Sequence, residues 1–147
     1  MISANAVWTD HARFVGIAGS HHSVVTDGGS TEKSASSPME LVLIGLCGCT
    51  ATDVVSILHK KREPFTALAV RAEADQAPEA PKVYTAIRLV YKVRGNVSHK
   101  SMEDAVRLSK EKYCSVSAML EKTAKITFTI EYEHIPASAH AREASNS

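Results

Sequence analysis

Short apolar runs separated by turn residues open the chain. Between Asn5 and Asp27, "AVW" and "RFVGIAG" read as strands, and "HHSVVTDGG" reads as a strand-like run ending in a turn signal. Residues 28–37, "GGSTEKSASS", read as a loop. The pattern then changes. From Pro38 the chain is apolar on nearly all sides through Ile44, which predicts a long, central and buried helix. Ser37 is a natural N-cap, and Pro38 fits the first helical position, where a missing N–H costs nothing. Lys60, Lys61 and Arg62 suit the negative end of the helix dipole, and Pro64 stops the helix near Arg62.

Beyond this helix, "FTALAVRAEA" (65–74) reads as a strand and "QAPEAPK" as a turn. "VYTAIRLVYKVRG" alternates as a half-buried antiparallel strand. Val83, Thr85, Ile87, Leu89, Tyr91 and Val93 share one face, and Tyr84, Arg88 and Lys92 share the other. "SHKSMEDAVRLSKEKYC" reads as an amphipathic helix capped near Ser98, with Met102, Ala105, Val106 and Leu108 in its apolar stripe. After a break near Cys114, "SVSAMLEKT" reads as a shorter helix with Ser115 as a candidate N-cap. "ITFTIEYEH" closes the pattern as a strand with Ile126, Phe128, Ile130 and Tyr132 inward. The order is strands, a long helix, then β-β-α-α-β. That is an α+β fold, without the repeating βαβ units of a nucleotide-binding sheet.

At 147 residues the chain is expected to form one domain over 1–134, with a small, polar and loose tail at 135–147. A formal net charge of +1, with basic and acidic residues interspersed, argues against a nucleic-acid footprint. The start "MISANAVWTDHARF" lacks the three regions of a signal peptide. The run from Leu41 to Leu58 is broken by Gly, Thr, Asp and Ser, so no membrane span is expected. A cytoplasmic location follows as the expectation, and there three cysteines do not suggest a disulfide framework.

The candidate chemistry lies in those cysteines. In "LCGCTATD", Cys47 and Cys49 stand two apart on a helix, so their side chains point about 200° apart. They can neither bridge without unwinding the helix nor hold one metal ion together. Cys49 has another candidate partner in Cys114, at a helix–helix junction where the dipole favours thiolate. Two thiols converging in this way could act as a peroxidatic–resolving pair. One would become a sulfenic acid and the other would condense with it to a disulfide. Buried, inert cysteines are the alternative. The histidines show no HxxxH or HExxH spacing, the glycines form no phosphate loop, and no nucleophile elbow occurs, so neither a metal nor a cofactor is expected.

"SSPMELVLIGLCGCTATDVVSIL" and "EKYCSVSAMLEKTAKITFTIEY" together resemble the OsmC/Ohr family of small bacterial thiol proteins. "GCTATDVVSILHKKR" is most similar to an OsmC-like branch apart from the best-studied peroxidases. The resemblance covers the chain to about Tyr132. It implies an OsmC-like fold and an intertwined homodimer with active sites at the subunit interface. It also implies thiol-dependent reduction of small hydrophobic organic hydroperoxides to alcohols, with a dithiol reductant that is typically lipoyl-linked. By motif position, Cys49 corresponds to the peroxidatic thiol and Cys114 to the resolving one. The family's thiolate-holding arginine corresponds to Arg13. Its glutamate follows the helix-opening proline directly, where this chain has Met39, so the correspondence shifts to Glu40. Asp53, on the Cys49 face of the helix, is expected to be paired with a basic side chain or a dimer partner, because a lone carboxylate there would oppose a thiolate. Met39 keeps two rivals in view: redox sensing or other small-electrophile chemistry on the same fold, and a non-catalytic dimeric binding protein.

Overall fold

The computed structural model describes residues 1–134; the expected loose tail lies outside them. The described chain falls into two compact units, divided after Ile44.

The first unit contains an antiparallel sheet in the order β1 (Ala4–Asp10), β2 (Arg13–Ala18), β3 (Ser23–Asp27). His21 and His22 lie in the turn before β3 rather than in a strand, and His21 takes a left-handed φ of 64°. Buried Asp27 ends β3. Its carboxylate accepts from the Gly29 N–H (2.9 Å) and from the Ser34 N–H and hydroxyl, which fastens the loop 28–37.

The long helix α1 spans Pro38–Lys60. It opens with a capping box: Ser37 Oγ accepts from the Glu40 N–H, and the Glu40 carboxylate accepts from the Ser37 N–H (3.0 Å). It ends in a Schellman pattern. Arg62 sits at φ 57°, where glycine is usual, while the Arg62 and Glu63 N–H groups donate to the His59 and Leu58 carbonyls. The helix was expected to be buried on most sides. Within one chain it buries a single stripe, Leu46, Thr50, Val54 and Leu58, and Ile44 is 56% exposed. By length and composition alone α1 could cross a membrane, yet its buried Thr50 is tied by hydrogen bonds into the core.

In the second unit β4 (Phe65–Gln76), β5 (Tyr84–Gly95) and β6 (Lys125–Glu133) form a sheet in that order. β5 is antiparallel to β4, as its alternation suggests, but parallel to β6. A parallel neighbour requires a crossover. Here the crossover is α2 (His99–Leu108), a π-helical turn (Ser109–Tyr113) and α3 (Ser115–Leu120). Gly95 is required at the end of β5: at φ 119° an added Cβ would lie 2.5 Å from the Pro64 carbonyl oxygen.

Ile87, Leu89, Tyr91 and Val93 of β5 are buried together with Met102, Ala105 and Val106 of α2 and Ile126 of β6. Three expectations fail locally. Tyr84 is buried while Val83 is 40% exposed, because the β4–β5 register shifts between Asp75 and Gln76 and reverses the facing there. Leu108 is exposed, and Ser109 takes the inward place one residue later. The N-cap of α3 is Cys114 itself rather than Ser115. Replacing Ile87 with alanine should cost about 2–5 kcal/mol of stability, whereas Val83→Ala should stay within about 0.5 kcal/mol. Urea unfolding of the two variants checks which residue faces the core.

Candidate thiol site

Three elements of the second unit meet at Cys114. Ser98 caps α2, which carries the chain inward to Ser109. The π-helical turn then closes when the Cys114 N–H donates to the Ser109 carbonyl (2.8 Å). Cys114 leaves the helical region (φ −72°, ψ 103°), and its Sγ accepts from the Ser117 N–H at 3.4 Å, beginning α3. The thiol is buried, with its residue 2% exposed. Burial pushes its pKa up, and the Ser117 N–H and hydroxyl only partly oppose this.

Cys49 comes to the same place from α1. It stands on one flank of the buried stripe, half-exposed, and its thiol lies close enough to Cys114 to help push the Cys114 pKa up. No disulfide joins them in this structure. Cys47 flanks the stripe on the other side, and partial burial pushes its pKa up. The helix thus separates the two neighbouring cysteines and brings together two that are 65 positions apart.

A chain of buried hydroxyls runs beside the pair. The Ser109 hydroxyl donates to Asp53 Oδ2 at 2.8 Å. Having spent its one proton, Ser109 Oγ accepts from Thr50 Oγ1 (2.8 Å), and Thr50 in turn accepts from the Tyr91 hydroxyl (2.6 Å). The direction is therefore Tyr91 to Thr50 to Ser109 to Asp53. Asp53 was expected to pair with a basic side chain or a dimer partner; within the chain it is instead held by the Ser109 hydroxyl, and no salt bridge among the described residues includes it. Burial pushes the Tyr91 phenol up to about 12, and nearby Cys114, Cys47 and Asp53 act in the same direction. Asp53 also lines a cleft of about 330 Å³, together with Ile57, Lys60, Lys61, Leu108 and Tyr113.

The other candidate residues, Arg13 and Glu40, lie in the first unit. Arg13 belongs to the first unit, where its guanidinium forks onto Asp10 and holds that carboxyl down to about 2. Arg13 Nη1 also donates to Ser34 Oγ at 3.4 Å. Glu40 is committed to the capping box and to Lys33. Because α1 is unbroken, nine residues put Glu40 about 180° around the helix from Cys49 and about 13 Å along it. Among the described residues no three His, Cys, Asp or Glu side chains are grouped to hold a metal ion.

The sequence reading missed Thr50, Ser109 and Tyr91 as a connected group. A signal was present: Thr50 interrupts the apolar 46–50–54–58 series, and Ser109 falls in phase with Met102 and Ala105.

Two free cysteines, one on a long helix and one capping a short one, lie together on an α+β frame. The chain belongs to the OsmC-like family: the family model described as OsmC-like protein matches residues 29–129. Protein YhfA of Escherichia coli strain K12 is 41% identical over 131 residues, covering 88% of this chain and 97% of YhfA. Among solved structures, a hypothetical protein from Aquifex aeolicus VF5 is 27% identical with a TM-score of 0.84, covering 92% of this chain and 98% of that one. An organic hydroperoxide resistance protein from Elizabethkingia anophelis shares the fold with a TM-score of 0.72 at 12% identity, covering 90% and 96% of the two chains.

The raised groups make stability pH-dependent. The folded chain keeps protons on Cys114 and Tyr91 after the unfolded chain has released them, so stability falls as pH rises. The loss should begin near pH 9, the ordinary value for the thiol, and continue towards 12, with partly buried Tyr132 contributing in the same sense. Urea midpoints measured from pH 8 to 11 should decline, and Tyr91→Phe should flatten the upper part of that decline.

Proposed function

We propose that the protein is a thiol-dependent peroxidase that reduces small hydrophobic organic hydroperoxides. The observation that carries this reading is the half-exposed Cys49 thiol in reach of the buried Cys114 thiol. The accessible sulfur is the one a substrate can meet, and the buried one is kept for the second step. In the first step Cys49 thiolate attacks the outer peroxide oxygen. The O–O bond breaks, the alkoxide takes a proton and leaves as alcohol, and Cys49 becomes a sulfenic acid. Cys114 then displaces hydroxide from that sulfur, giving water and the Cys49–Cys114 disulfide. An external dithiol, of the lipoyl-linked type in keeping with the family resemblance, restores both thiols.

The family membership supports this reading, as does the fold shared with a protein named for organic hydroperoxide resistance. The largely apolar sequence of α1, which carries Cys49, favours alkyl or aryl hydroperoxides over hydrogen peroxide. We assign the protein to the cytoplasm and to a homodimer. In support of the dimer, Val7, Trp8, Val24 and Val25 of the first unit and Ile44 of α1 are exposed apolar side chains that a second copy would cover.

A second reading is favoured by the commitments of Glu40 and Arg13. With one in a helix cap and the other paired to Asp10, the pair would serve as a redox sensor or react with a different small electrophile. Loss of cumene and tert-butyl hydroperoxide in the presence of dihydrolipoamide separates the readings. Turnover by the native protein, its abolition in Cys49→Ser and an accumulating sulfenic acid in Cys114→Ser are expected. No turnover of any alkyl or aryl hydroperoxide, with a loss of two mass units after mild oxidation, would favour the sensor.

A further inference from the structure

Ser109 is tied to both arms of the thiol pair. Toward Cys49, its hydroxyl accepts from Thr50, the residue after Cys49, and donates to Asp53, one turn further along α1. Toward Cys114, its carbonyl accepts the Cys114 N–H and closes the π-helical turn. Its own N–H bonds back to the Ala105 and Val106 carbonyls of α2. The side chain is fully buried, and each of its polar groups is engaged.

The turn matters to the geometry. A π-helical turn closes from residue i to i+5, one residue longer than an α-turn. Continued α-helix would present residue 113 to the Ser109 carbonyl and swing residue 114 out of phase by about 100°. The extra residue therefore decides which side chain arrives at α1, and the Ser109 hydroxyl decides where on α1 the turn is docked.

We propose that Ser109 is the positioning residue of the Cys49–Cys114 pair, holding the helix of one thiol and the turn of the other in a single register so that a disulfide forms reversibly between them. The proposal rests on the redox reading only as far as the disulfide; no peroxide is involved. Exchange with trans-4,5-dihydroxy-1,2-dithiane shows the balance. The two protein S–H bonds and the dithiane S–S bond are lost, and one protein S–S bond and the two S–H bonds of dithiothreitol form. Without the hydroxyl, the two sulfurs meet at a lower effective concentration, and the disulfide is less stable relative to the same dithiol.

The test is the equilibrium constant for that exchange, read by intact mass after acid quench and alkylation, in the native protein, Ser109→Ala, Asp53→Ala and Tyr91→Phe. Ser109→Ala should lower the constant at least about tenfold, which corresponds to about 30 mV. Asp53→Ala removes one of the two side-chain ties and should lower it by less. Tyr91→Phe cuts the far end of the hydroxyl chain, leaves both Ser109 ties in place, and should stay within about twofold of the native protein. A purely structural hydroxyl would instead shift all three variants in step with their thermal stability, and that outcome overturns the proposal. A Ser109→Ala constant within about twofold of native also overturns it, with the native disulfide still standing. If Ser109→Ala does not fold, Asp53→Ala decides: an unchanged constant overturns the positioning role. A native protein that forms no Cys49–Cys114 disulfide would overturn this proposal and the redox reading together.

Discussion

Three hydroxyls in the interior, on Tyr91, Thr50 and Ser109, can be buried only because each satisfies the next. An unpaired hydroxyl out of water costs about 1–3 kcal/mol, whereas a paired one is close to neutral or mildly favourable. The chain therefore restrains geometry more than it adds stability. It fixes the rotation of α1 against β5 through Thr50 and Tyr91, and the docking of the π-helical turn against α1 through Thr50 and Ser109. No buried side-chain polar atom among the described residues lacks a partner, so the network is closed, with Asp53 as its half-exposed terminus.

The chemistry of the pair depends on the unequal surroundings of its two sulfurs. Cys114 lies in the core, where burial pushes its pKa up and favours the protonated thiol. Cys49 faces partly outward on α1, one turn before Asp53. Arg13 is forked onto Asp10, and Lys61 reaches Asp104 at 3.6 Å. Met39, where the peroxidases that the chain resembles carry glutamate, moves the first acidic residue one place along. At that place Glu40 completes the helix cap. A carboxylate in a capping box is held by the helix it starts, which separates its role here from a role at the thiol.

The one-sided burial of α1 bears on the proposed second copy. A helix as apolar as this one normally lies within a core on all sides. In a single chain only the stripe from Leu46 to Leu58 is covered. The first sheet likewise leaves Trp8 63% exposed. Exposed apolar surface of this kind on a small chain is the physical basis for proposing a second copy, since burial returns about 25 cal/mol for each Å² removed from water.

Much of the architecture was legible from local patterns. The capping signal at Ser37, the dipole-matched end at Lys60, the alternation of β4 to β6 and the breaks at Pro64 and Cys114 depend on backbone propensity and periodicity, which a sequence carries directly. The separation of Cys47 from Cys49 followed from helix geometry alone. Tertiary structure decided the rest, because it depended on contacts between distant segments. The register shift that buries Tyr84 arises in pairing with β4, and the parallel place of β6 arises from the crossover. The choice of Ser109 over Leu108 as the inward residue arises from a π-helical turn that no periodicity announces. The meeting of Cys49 with Cys114 needed all of these at once. Sequence could name the two thiols, but only the packing of distant segments, with the buried hydroxyls each satisfying the next out of water, brought Cys49 and Cys114 close enough to interact.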